Sequence, residues 1–263
     1  MSKVAIVTGG SGGIGRCTAA ALSRAGCRVY EFSRHEHPAE GVIHISADMT
    51  DEERVKAAVD EVLRREGRVD ILVNNAGFGI SGAAELTEPA DSHAQLELNL
   101  FGMDRATRAV LPAMRAQGSG RIVCMSSIAA ILPIPFQLWY SVSKAAINAY
   151  VLALQNEVRP FGISVCAVMP GDISTGFTQA RKKSAVGDEV YSGRIERSVA
   201  VMERDERNGM SPERAGAYVA AKAMQKNSRP LCALGFSYKC AAMAAKLLPR
   251  RLSNYLVGRI YAK

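Results

Sequence analysis

Two residues of this sequence, Tyr140 and Lys144, are spaced so that they could transfer a proton together. Residues four apart lie on one face of a helix, so the Lys144 ammonium can approach the Tyr140 phenol. A free tyrosine has a pKa of about 10, and a nearby fixed positive charge favours the phenolate. The pair therefore predicts a general acid/base that works near neutral pH. Because this spacing also arises by chance in many helices, the prediction needs support from the rest of the chain.

The N-terminus carries a pattern that is typical of nucleotide binding. The apolar run 4–7 is followed at once by the glycine turn, Thr8-Gly9-Gly10-Ser11-Gly12-Gly13-Ile14-Gly15. Residues 16–26 then indicate a helix that ends at a glycine. This strand, turn and helix would bring backbone amides and the positive helix end to a pyrophosphate. The glycine spacing differs from the GxGxxG fingerprint, and a merely flexible glycine loop is the alternative.

Strand-like runs alternate with helix-length segments along most of the chain. They cover residues 4–7, 28–32, 42–46, 70–73, 121–125 and 163–168, with 230–236 as a candidate last edge strand. Strands that alternate with helices pack as a parallel sheet flanked by helices. We find no linker or internal repeat, and 263 residues can bury one full core. The sequence therefore predicts a single α/β domain over 1–263, a doubly wound (Rossmann) parallel sheet with a C-terminal helical extension.

Further motifs fall in a recognisable order along the chain. Asn74-Asn75-Ala76-Gly77 follows the fourth strand-like run, Ser127 lies thirteen residues before Tyr140, and Pro170-Gly171 follows the sixth run. Together with the glycine turn, Asn99 and the tyrosine–lysine pair, these motifs resemble those of the short-chain dehydrogenase/reductase family. The resemblance covers most of the chain and fades towards the C-terminus. It implies a nicotinamide-dependent oxidoreductase acting on a small-molecule carbonyl or alcohol, and a homo-oligomer.

The resemblance implies catalytic roles for four residues, Asn99, Ser127, Tyr140 and Lys144. Ser127 is expected to donate a hydrogen bond to the substrate carbonyl, and Tyr140 to give its proton to the developing alkoxide. Lys144 is expected to lower the phenol pKa and to bind the nicotinamide ribose. Asn99 matches the family residue that supports a water relay to the lysine. An ordinary helical asparagine packed against a neighbouring strand is the alternative for Asn99.

The same resemblance implies a cofactor site at the ends of several strands. Asp48 is expected to bind the adenine ring, Asn75 to face the adenosine, and Ile173 and Thr175 to contact the carboxamide side of the nicotinamide. The predicted cofactor-binding residues are Thr8, Gly9, Ser11, Gly13, Ile14, Gly15, Ser33, Arg34, Asp48, Asn75, Ala76, Gly77, Tyr140, Lys144, Pro170, Gly171, Ile173 and Thr175.

The choice between NADP and NAD depends on the end of the second strand-like run. In NAD enzymes an acidic residue there commonly binds the adenosine ribose hydroxyls. We place Ser33 at that position with Arg34 after it, so a guanidinium instead of a carboxylate is available, and it suits a 2′-phosphate. The sequence therefore favours NADP(H), with NAD(H) as the alternative. Glu31 lies two residues earlier, and a register slip of two would reverse this preference.

Composition and cysteine usage indicate the compartment. The six cysteines show no CxxC pairing or metal-ligand spacing, which favours a reducing environment. His35 and His37 have no third ligand nearby, so no metal site is predicted. Residues 1–11 lack a long apolar core, and no apolar run reaches membrane-spanning length. These features predict a cytoplasmic protein that is neither secreted nor membrane-spanning.

The C-terminal part of the chain is strongly basic. Ten Lys or Arg residues and no Asp or Glu lie between Arg214 and Lys263, within a chain of net charge +8. Residues 237–263 combine such charges with apolar residues, which suits peripheral association with an anionic membrane surface. A solvated helix pair or a subunit contact would give the same pattern. Nucleic acid is not predicted as a partner, because no recognised reading motif accompanies the charge.

Two segments are expected to define the substrate. Residues 176–210 are rich in charge and are predicted to form a mobile lid over the site. Residues 131–139 form an almost wholly apolar wall that leads into Tyr140. This wall predicts an apolar pocket, and packing against the lid or another subunit is the alternative. The C-terminal tail resembles that of family members acting on steroids, retinoids and long-chain aldehydes, and this resemblance implies a lipophilic substrate. A 3-oxoacyl reductase is the alternative among enzymes, and a non-catalytic cofactor-binding regulatory or scaffold protein is the alternative from another class.

Overall fold

The computed structural model describes residues 2–262 and contains a seven-stranded parallel sheet. The strands in chain order are β1 (Val4–Thr8), β2 (Arg28–Ser33), β3 (Val42–Ser46), β4 (Ile71–Asn74), β5 (Ile80–Ser81), β6 (Gly120–Met125), β7 (Ile163–Met169), β8 (Lys182–Lys183) and β9 (Leu231–Ala233). The main sheet has the order β3-β2-β1-β4-β6-β7-β9, and β5 pairs with β8 in a separate two-stranded sheet. In the register of the main sheet, Ala5 lies opposite Val29 on one side and Ile71 on the other.

Helices cover both faces of the main sheet. They are α1 (Gly13–Arg24), α2 (Glu52–Glu66), α3 (Pro89–Leu96), α4 (Met103–Gln117), α5 (Leu138–Val158), α6 (Phe177–Ala180), α7 (Arg194–Arg207), α8 (Pro212–Met224), α9 (Phe236–Leu247) and α10 (Arg250–Tyr261). One hydrophobic cluster joins the sheet to α2, α4 and α5, and a second joins it to α1 and α8. Because strand side chains alternate, Ile6 belongs to the first cluster and its neighbours Ala5 and Val7 to the second.

The predicted fold class is confirmed. Each of the six strand-like runs becomes a strand of the main sheet, and the candidate edge strand forms as β9 beside β7. Helix α1 begins at Gly13, three residues earlier than predicted, because the second half of the glycine turn supplies its first turn. The basic C-terminal segment forms α9 and α10.

The chain order places a switch point at the middle of the sheet. After β1 the chain adds β2 and β3 on one side, and it then returns to place β4 on the other side of β1. Since the strands are parallel, their carboxyl ends share one edge, and ligands of open α/β sheets bind there beside the switch point. Between residues 2 and 262, no helix has the length and apolar character to span a membrane.

Candidate active site

A cavity of about 640 Å³ lies at the carboxyl edge of the sheet, over the switch point. Predicted residues that line it are Gly9, Ser11, Gly13, Ile14, Ser33, Arg34, Asp48, Asn75, Ala76, Gly77, Ser127, Tyr140, Pro170, Gly171, Ile173 and Thr175. The other predicted residues, Thr8, Gly15, Asn99 and Lys144, are not lining residues and lie behind this wall. The predicted catalytic and cofactor residues are thus gathered at one place in the fold.

The glycine turn is held against the end of β4 by Thr8 and Asn75. The Thr8 hydroxyl accepts hydrogen bonds from the backbone N–H groups of Asn75 at 3.0 Å and Ala76 at 3.1 Å. The Asn75 side chain donates to the carbonyls of Thr8 and Gly9, each at 3.1 Å. Gly9 has a φ of +66°, and a Cβ at Gly15 would collide with Asn75 and with the Gly9 carbonyl. Both positions therefore require glycine.

The N-terminus of α1 opens towards the cavity. Its N-cap, Gly12, offers no side-chain cap, and its first turn holds no acidic residue. A Cβ at Gly12 would meet nothing within 4 Å, and Gly13 has a φ of +50°. Unpaired N–H groups and the helix dipole at such a terminus attract phosphate. This part of the cavity therefore fits the pyrophosphate of a dinucleotide.

Ser33 and Arg34 line the cavity beyond the end of β2, whereas Glu31 does not. Glu31 is fully buried, hydrogen-bonds to His44, and accepts a hydrogen bond from the Ser33 hydroxyl at 3.2 Å. A Cβ at Gly10 would overlap the Glu31 side chain, which therefore fills the space beneath the glycine turn. The carboxylate that could have reversed the cofactor preference is withdrawn from the cavity.

Two aspartates after β3 have separate tasks. Asp51 caps α2 by accepting a hydrogen bond from the backbone N–H of Arg54 at 3.1 Å. Asp48 lines the cavity and accepts hydrogen bonds from the backbone N–H and hydroxyl of Thr50 at 2.9 and 2.8 Å. These bonds from Thr50 lower the pKa of Asp48, so its carboxylate is held ionised at the cavity wall.

Ser127 and Tyr140 line the same part of the cavity. Ser127 follows β6, and its Oγ accepts a hydrogen bond from the backbone N–H of Ala129 at 3.1 Å and donates to the Pro170 carbonyl at 3.5 Å. Tyr140 stands in the first turn of α5, with its ring centre 5.8 Å from that of Phe177. A hydroxyl donor and a phenol thus border one space, which is the arrangement needed to bind and protonate a carbonyl oxygen.

Lys144 lies one turn further along α5 and is buried. Its Nζ donates a hydrogen bond to the Met125 carbonyl at 2.7 Å and lies 5.5 Å from the centre of the Tyr140 ring. Burial lowers the pKa of Lys144 to about 8. The lysine therefore still carries its charge at neutral pH, directly behind the tyrosine.

The pKa of Tyr140 moves in the direction opposite to the one predicted. Burial raises the pKa of Tyr140 to about 12, although the hydrogen bond with Ser127 and the charge of Arg181 act to lower it. The Lys144 ammonium donates its hydrogen bond to a backbone carbonyl and not to the phenol. The lowering of the Tyr140 pKa expected from its charge therefore does not outweigh the effect of burial. In this structure the phenol is therefore a protonated group, ready to act as an acid.

Asn99 lies in a π-helical segment, Glu97–Gly102, between α3 and α4. Its amide donates hydrogen bonds to the Phe78 carbonyl at 3.0 Å and to the Ser143 hydroxyl at 3.2 Å, and its oxygen accepts from the Phe78 N–H at 3.0 Å. It therefore ties the loop after β4 to α5 beside Lys144. The water relay implied by the family resemblance stays a prediction.

The segment predicted as a lid has regular structure and supplies part of the site. Phe177 and Ala180 of α6 and Glu206 of α7 line the cavity. Glu206 forms an ion pair with Arg181, whose side chain is fully buried, and the Arg181 guanidinium lies 5.8 Å from the centre of the Phe177 ring. The apolar segment 131–139 adds Ile134 and Gln137 to the cavity wall.

Sequence reasoning missed Asp172, Tyr238 and Tyr261, which also line the cavity. Tyr238 donates a hydrogen bond to the Asp172 carboxylate and accepts one from the Asp172 backbone N–H at 3.1 Å. A Cβ at Gly171 would overlap the Tyr238 ring, so the ring lies directly over that glycine. Asp172 could have been noticed because it directly follows Gly171, whereas the tyrosines belong to C-terminal helices that no motif reaches.

Comparison with known proteins supports the family resemblance. The sequence model of the family described as short chain dehydrogenase matches residues 3–185 of this chain. A 3-ketodihydrosphingosine reductase of Bacteroides thetaiotaomicron is 40% identical over 269 residues, covering 99% of this chain and 98% of that protein. Dehydrogenase/reductase SDR family member 7B of Xenopus tropicalis is 29% identical and covers 97% of this chain and 85% of its own length.

Solved structures agree with these relatives. A short-chain dehydrogenase from Streptomyces avermitilis has a TM-score of 0.82 and 34% identity, covering 94% of this chain and 95% of that chain. A 3-ketoacyl-(acyl-carrier-protein) reductase from Brucella melitensis complexed with NADH has a TM-score of 0.74 and 27% identity, covering 88% and 95%. With the family match over most of its length, the chain belongs to the short-chain dehydrogenases/reductases and is an oxidoreductase.

Proposed function

We propose that this protein is an NADP(H)-dependent oxidoreductase that interconverts a lipophilic ketone and the matching secondary alcohol. The observation that carries this proposal is one shared cavity, in which Ser127 and Tyr140 lie beside the apolar side chains of Ile134, Phe177 and Ala180. A carbonyl held by the two hydroxyls would place its apolar part against these side chains. The similarity to a 3-ketodihydrosphingosine reductase over nearly the whole chain supports a long-chain ketone as the substrate.

The residues of the site supply the proton and the binding of the carbonyl. A bound nicotinamide cofactor would supply a hydride to the carbonyl carbon. Ser127 Oγ donates a hydrogen bond to the carbonyl oxygen, and the Tyr140 hydroxyl gives its proton to that oxygen as the alkoxide develops. The charge of Lys144, 5.5 Å from the ring centre, stabilises the phenolate that remains. Alcohol oxidation is the reverse of these steps.

Asp172 adds a carboxyl group to the cavity that Ser127 and Tyr140 line, and its charge acts to raise the pKa of Tyr140. Its carboxylate accepts a hydrogen bond from Tyr238, and burial raises the pKa of Asp172. 3-Ketodihydrosphingosine has a primary amine on the carbon next to its ketone. We propose that the protonated amine of such a substrate pairs with Asp172 while the ketone binds Ser127 and Tyr140.

Replacing Asp172 with Asn should raise KM for a long-chain 2-amino-3-ketone by about tenfold, the value of one charge-assisted hydrogen bond. KM for the same ketone without its amine should change by less than about twofold, because that compound has no cation to pair. Steady-state kinetics with both ketones measures the difference. Asp60→Asn, an exposed change on α2, is the control. Equal effects on the two ketones would contradict the assigned role of Asp172.

The preference for NADP(H) is proposed from the end of β2. Arg34 lines the cavity there and can pair with a 2′-phosphate. Ser33 lines the cavity beside it. The Glu31 side chain lies beneath the glycine turn, where it accepts a hydrogen bond from the Ser33 hydroxyl. A phosphate at this position would gain the Arg34 guanidinium, and the Glu31 carboxylate at the end of β2 does not line the cavity.

Arg34→Ala should lower kcat/KM for NADPH by about 10- to 100-fold, because a charge-assisted pair with the 2′-phosphate is lost. The value for NADH should change by less than about threefold, since NADH has no phosphate at this position. Initial rates with each reduced cofactor give both numbers, and Arg24→Ala, an exposed change at the end of α1, is the control. A strong wild-type preference for NADH would overturn the proposed cofactor.

A 3-oxoacyl reductase is the second candidate function. The likeness to the Brucella 3-ketoacyl-(acyl-carrier-protein) reductase favours it, and the basic C-terminal segment would suit an acidic carrier protein. NADPH oxidation with a long-chain 2-amino-3-ketone, a 3-oxoacyl thioester, a steroid ketone, a retinaldehyde and a fatty aldehyde separates the candidates. We expect the amino-ketone to be preferred. Preference for the thioester would favour the second candidate, and no turnover at all would favour a non-catalytic scaffold.

We also propose where in the cell the protein works and how it assembles. A cytoplasmic site agrees with the unpaired state of the cysteines in the structure. A substrate that dissolves in bilayers would suit peripheral membrane association through residues 237–263. The homo-oligomer implied by the family resemblance stays a prediction, which light scattering after size-exclusion chromatography would check.

A further inference from the structure

Helices α9 and α10 carry their large apolar side chains on the solvent side. The exposed residues, which we call the C-terminal face, are Phe236, Met243, Leu247, Leu252, Tyr255, Leu256 and Ile260. Their spacing puts them on one stripe of each helix, at i, i+7 and i+11 on α9 and at i, i+3, i+4 and i+8 on α10. The buried residues of these helices are smaller, namely Ala245, Ser253 and Val257. This is the reverse of an ordinary surface helix, so the C-terminal face is suited to contact another apolar phase.

The degree of exposure is large for such side chains. Phe236 is 84% exposed, Leu247 is 78% exposed and Met243 is 62% exposed. Scattered exposed apolar residues are normal on a protein surface, but contiguous apolar patches mark protein or membrane contact sites. The members of the C-terminal face are not scattered singly, because they form one exposed stripe on each of two consecutive helices.

The helices that carry the C-terminal face are also positively charged. Five exposed basic residues lie on the same two helices, Lys239, Lys246, Arg250, Arg251 and Arg259. After Glu213 the sequence contains no acidic residue. A second copy of this face would oppose like charges to like charges, which disfavours self-association there. An anionic bilayer satisfies both features, since it receives apolar side chains at its interface and attracts lysine and arginine with its phosphates.

The C-terminal face also adjoins the cavity. Tyr238 of α9 and Tyr261 of α10 line the cavity, and each lies within two residues of an exposed member of the face, Phe236 or Ile260. Tyr238 is fixed by its hydrogen bonds with Asp172, and the end of α10 is fixed to α7 by a bond from Arg194 to the Ala262 carbonyl at 2.9 Å. The same two helices therefore form a wall of the site and the exposed apolar surface.

We propose that the C-terminal face docks on an anionic phospholipid bilayer and that the substrate passes from the bilayer into the cavity beside Tyr238 and Tyr261. The docking part rests on the exposed side chains and charges alone. The passage part rests on the proposed function, because it requires a lipophilic substrate. Docked in this way, the protein takes a long-chain ketone from the membrane without releasing it into water.

Vesicle co-sedimentation of the full-length protein tests the docking. With vesicles of phosphatidylcholine and phosphatidylserine we expect the protein to pellet, with less pelleting at high salt and little on phosphatidylcholine alone. The triple variant Phe236→Ser, Met243→Ser, Leu247→Ser should pellet at least about tenfold less, since its apolar contact is lost. Phe161→Ser, a change of an exposed apolar residue outside the C-terminal face, should pellet like the wild type.

A second measurement separates docking from catalysis. Turnover of a short water-soluble ketone should be the same for the triple variant and the wild type, whereas turnover of a long-chain ketone in vesicles should fall with binding. Equal pelleting of variant and wild type, or pelleting that ignores phosphatidylserine, would overturn the docking. A changed oligomeric state of the variant with unchanged vesicle binding would assign the face to self-association and also overturn it. If the wild type pellets but reduces no ketone, docking stands and the proposed function fails.

Discussion

Replacing Tyr140 with Phe is expected to reduce kcat by at least about 1000-fold, since the general acid of the reaction is removed. The change deletes one oxygen and leaves the ring, so the ring contact with Phe177 at 5.8 Å between centres is kept. The glycine turn and the N-terminus of α1 are untouched, so Kd for NADPH should stay within about threefold of the wild type. Steady-state rates and a fluorescence titration of NADPH would measure the two quantities.

Tyr150→Phe is the matched control for this change. Tyr150 lies on the same helix, α5, and its hydroxyl donates a hydrogen bond to Asp104 at 2.8 Å, away from the cavity. Its loss should cost about 2 kcal/mol of unfolding free energy, as expected for a hydrogen bond to a carboxylate, and leave kcat unchanged. If Tyr140→Phe kept near-normal turnover, the proton would have to come from another group and the assigned mechanism would be wrong.

Replacing Lys144 with Met is expected to reduce kcat by about 100- to 10,000-fold, because the phenolate left after proton transfer loses its counter-charge. Methionine matches the apolar length of the lysine side chain and keeps the buried space filled. The log of kcat of the wild type, measured against pH, should report the lysine titration, and this feature should be missing from the residual rate of the variant.

The same variant should be more stable than the wild type at neutral pH. Burial lowers the pKa of Lys144 to about 8, whereas an unfolded lysine titrates near 10.4. Between these two values the unfolded chain binds more protons, so wild-type stability rises with pH there. Below about pH 8 the folded protein bears the full cost of the buried charge, about 3 kcal/mol. Lys144→Met removes this cost and loses one hydrogen bond to Met125, worth about 1 kcal/mol.

The expected net gain is about 2 kcal/mol at pH 7, which should fade as the pH rises through about 8 to 10. Calorimetric melting of both proteins at pH 7 and pH 10 would show it as a Tm several degrees higher for the variant at the lower pH only. A variant that melts below the wild type at pH 7 would show that Lys144 is solvated or paired in solution.

The fold could be predicted from the sequence because the patterns that indicate its strands and helices are local. Apolar runs such as 121–125 alternate with helix-length segments, and that alternation predicts a parallel sheet. The edge strand β9 was visible as a short run at 230–236. Pairing of β5 with β8 was not predicted, because a two-residue strand leaves no periodicity to detect.

The residues of the candidate site could be predicted only where they belong to a recognisable motif. Glycines, Ser127, Tyr140 and Lys144 have recognisable types and spacings, and the fold gathers them at one edge. Tyr238 and Tyr261 come from C-terminal helices, and their place in the cavity depends on tertiary packing that no local pattern encodes. The raised pKa of Tyr140 was missed for a similar reason, because desolvation is a property of the folded surroundings.

The most direct test of the mechanism follows NADPH consumption and alcohol formation together, with a long-chain 2-amino-3-ketone as substrate. The wild type should form one alcohol for each NADPH consumed, and the Tyr140→Phe protein, with NADPH bound, should form none above background. Comparable alcohol formation by the two proteins, or NADPH consumption without alcohol, would contradict reduction by Tyr140 in this cavity.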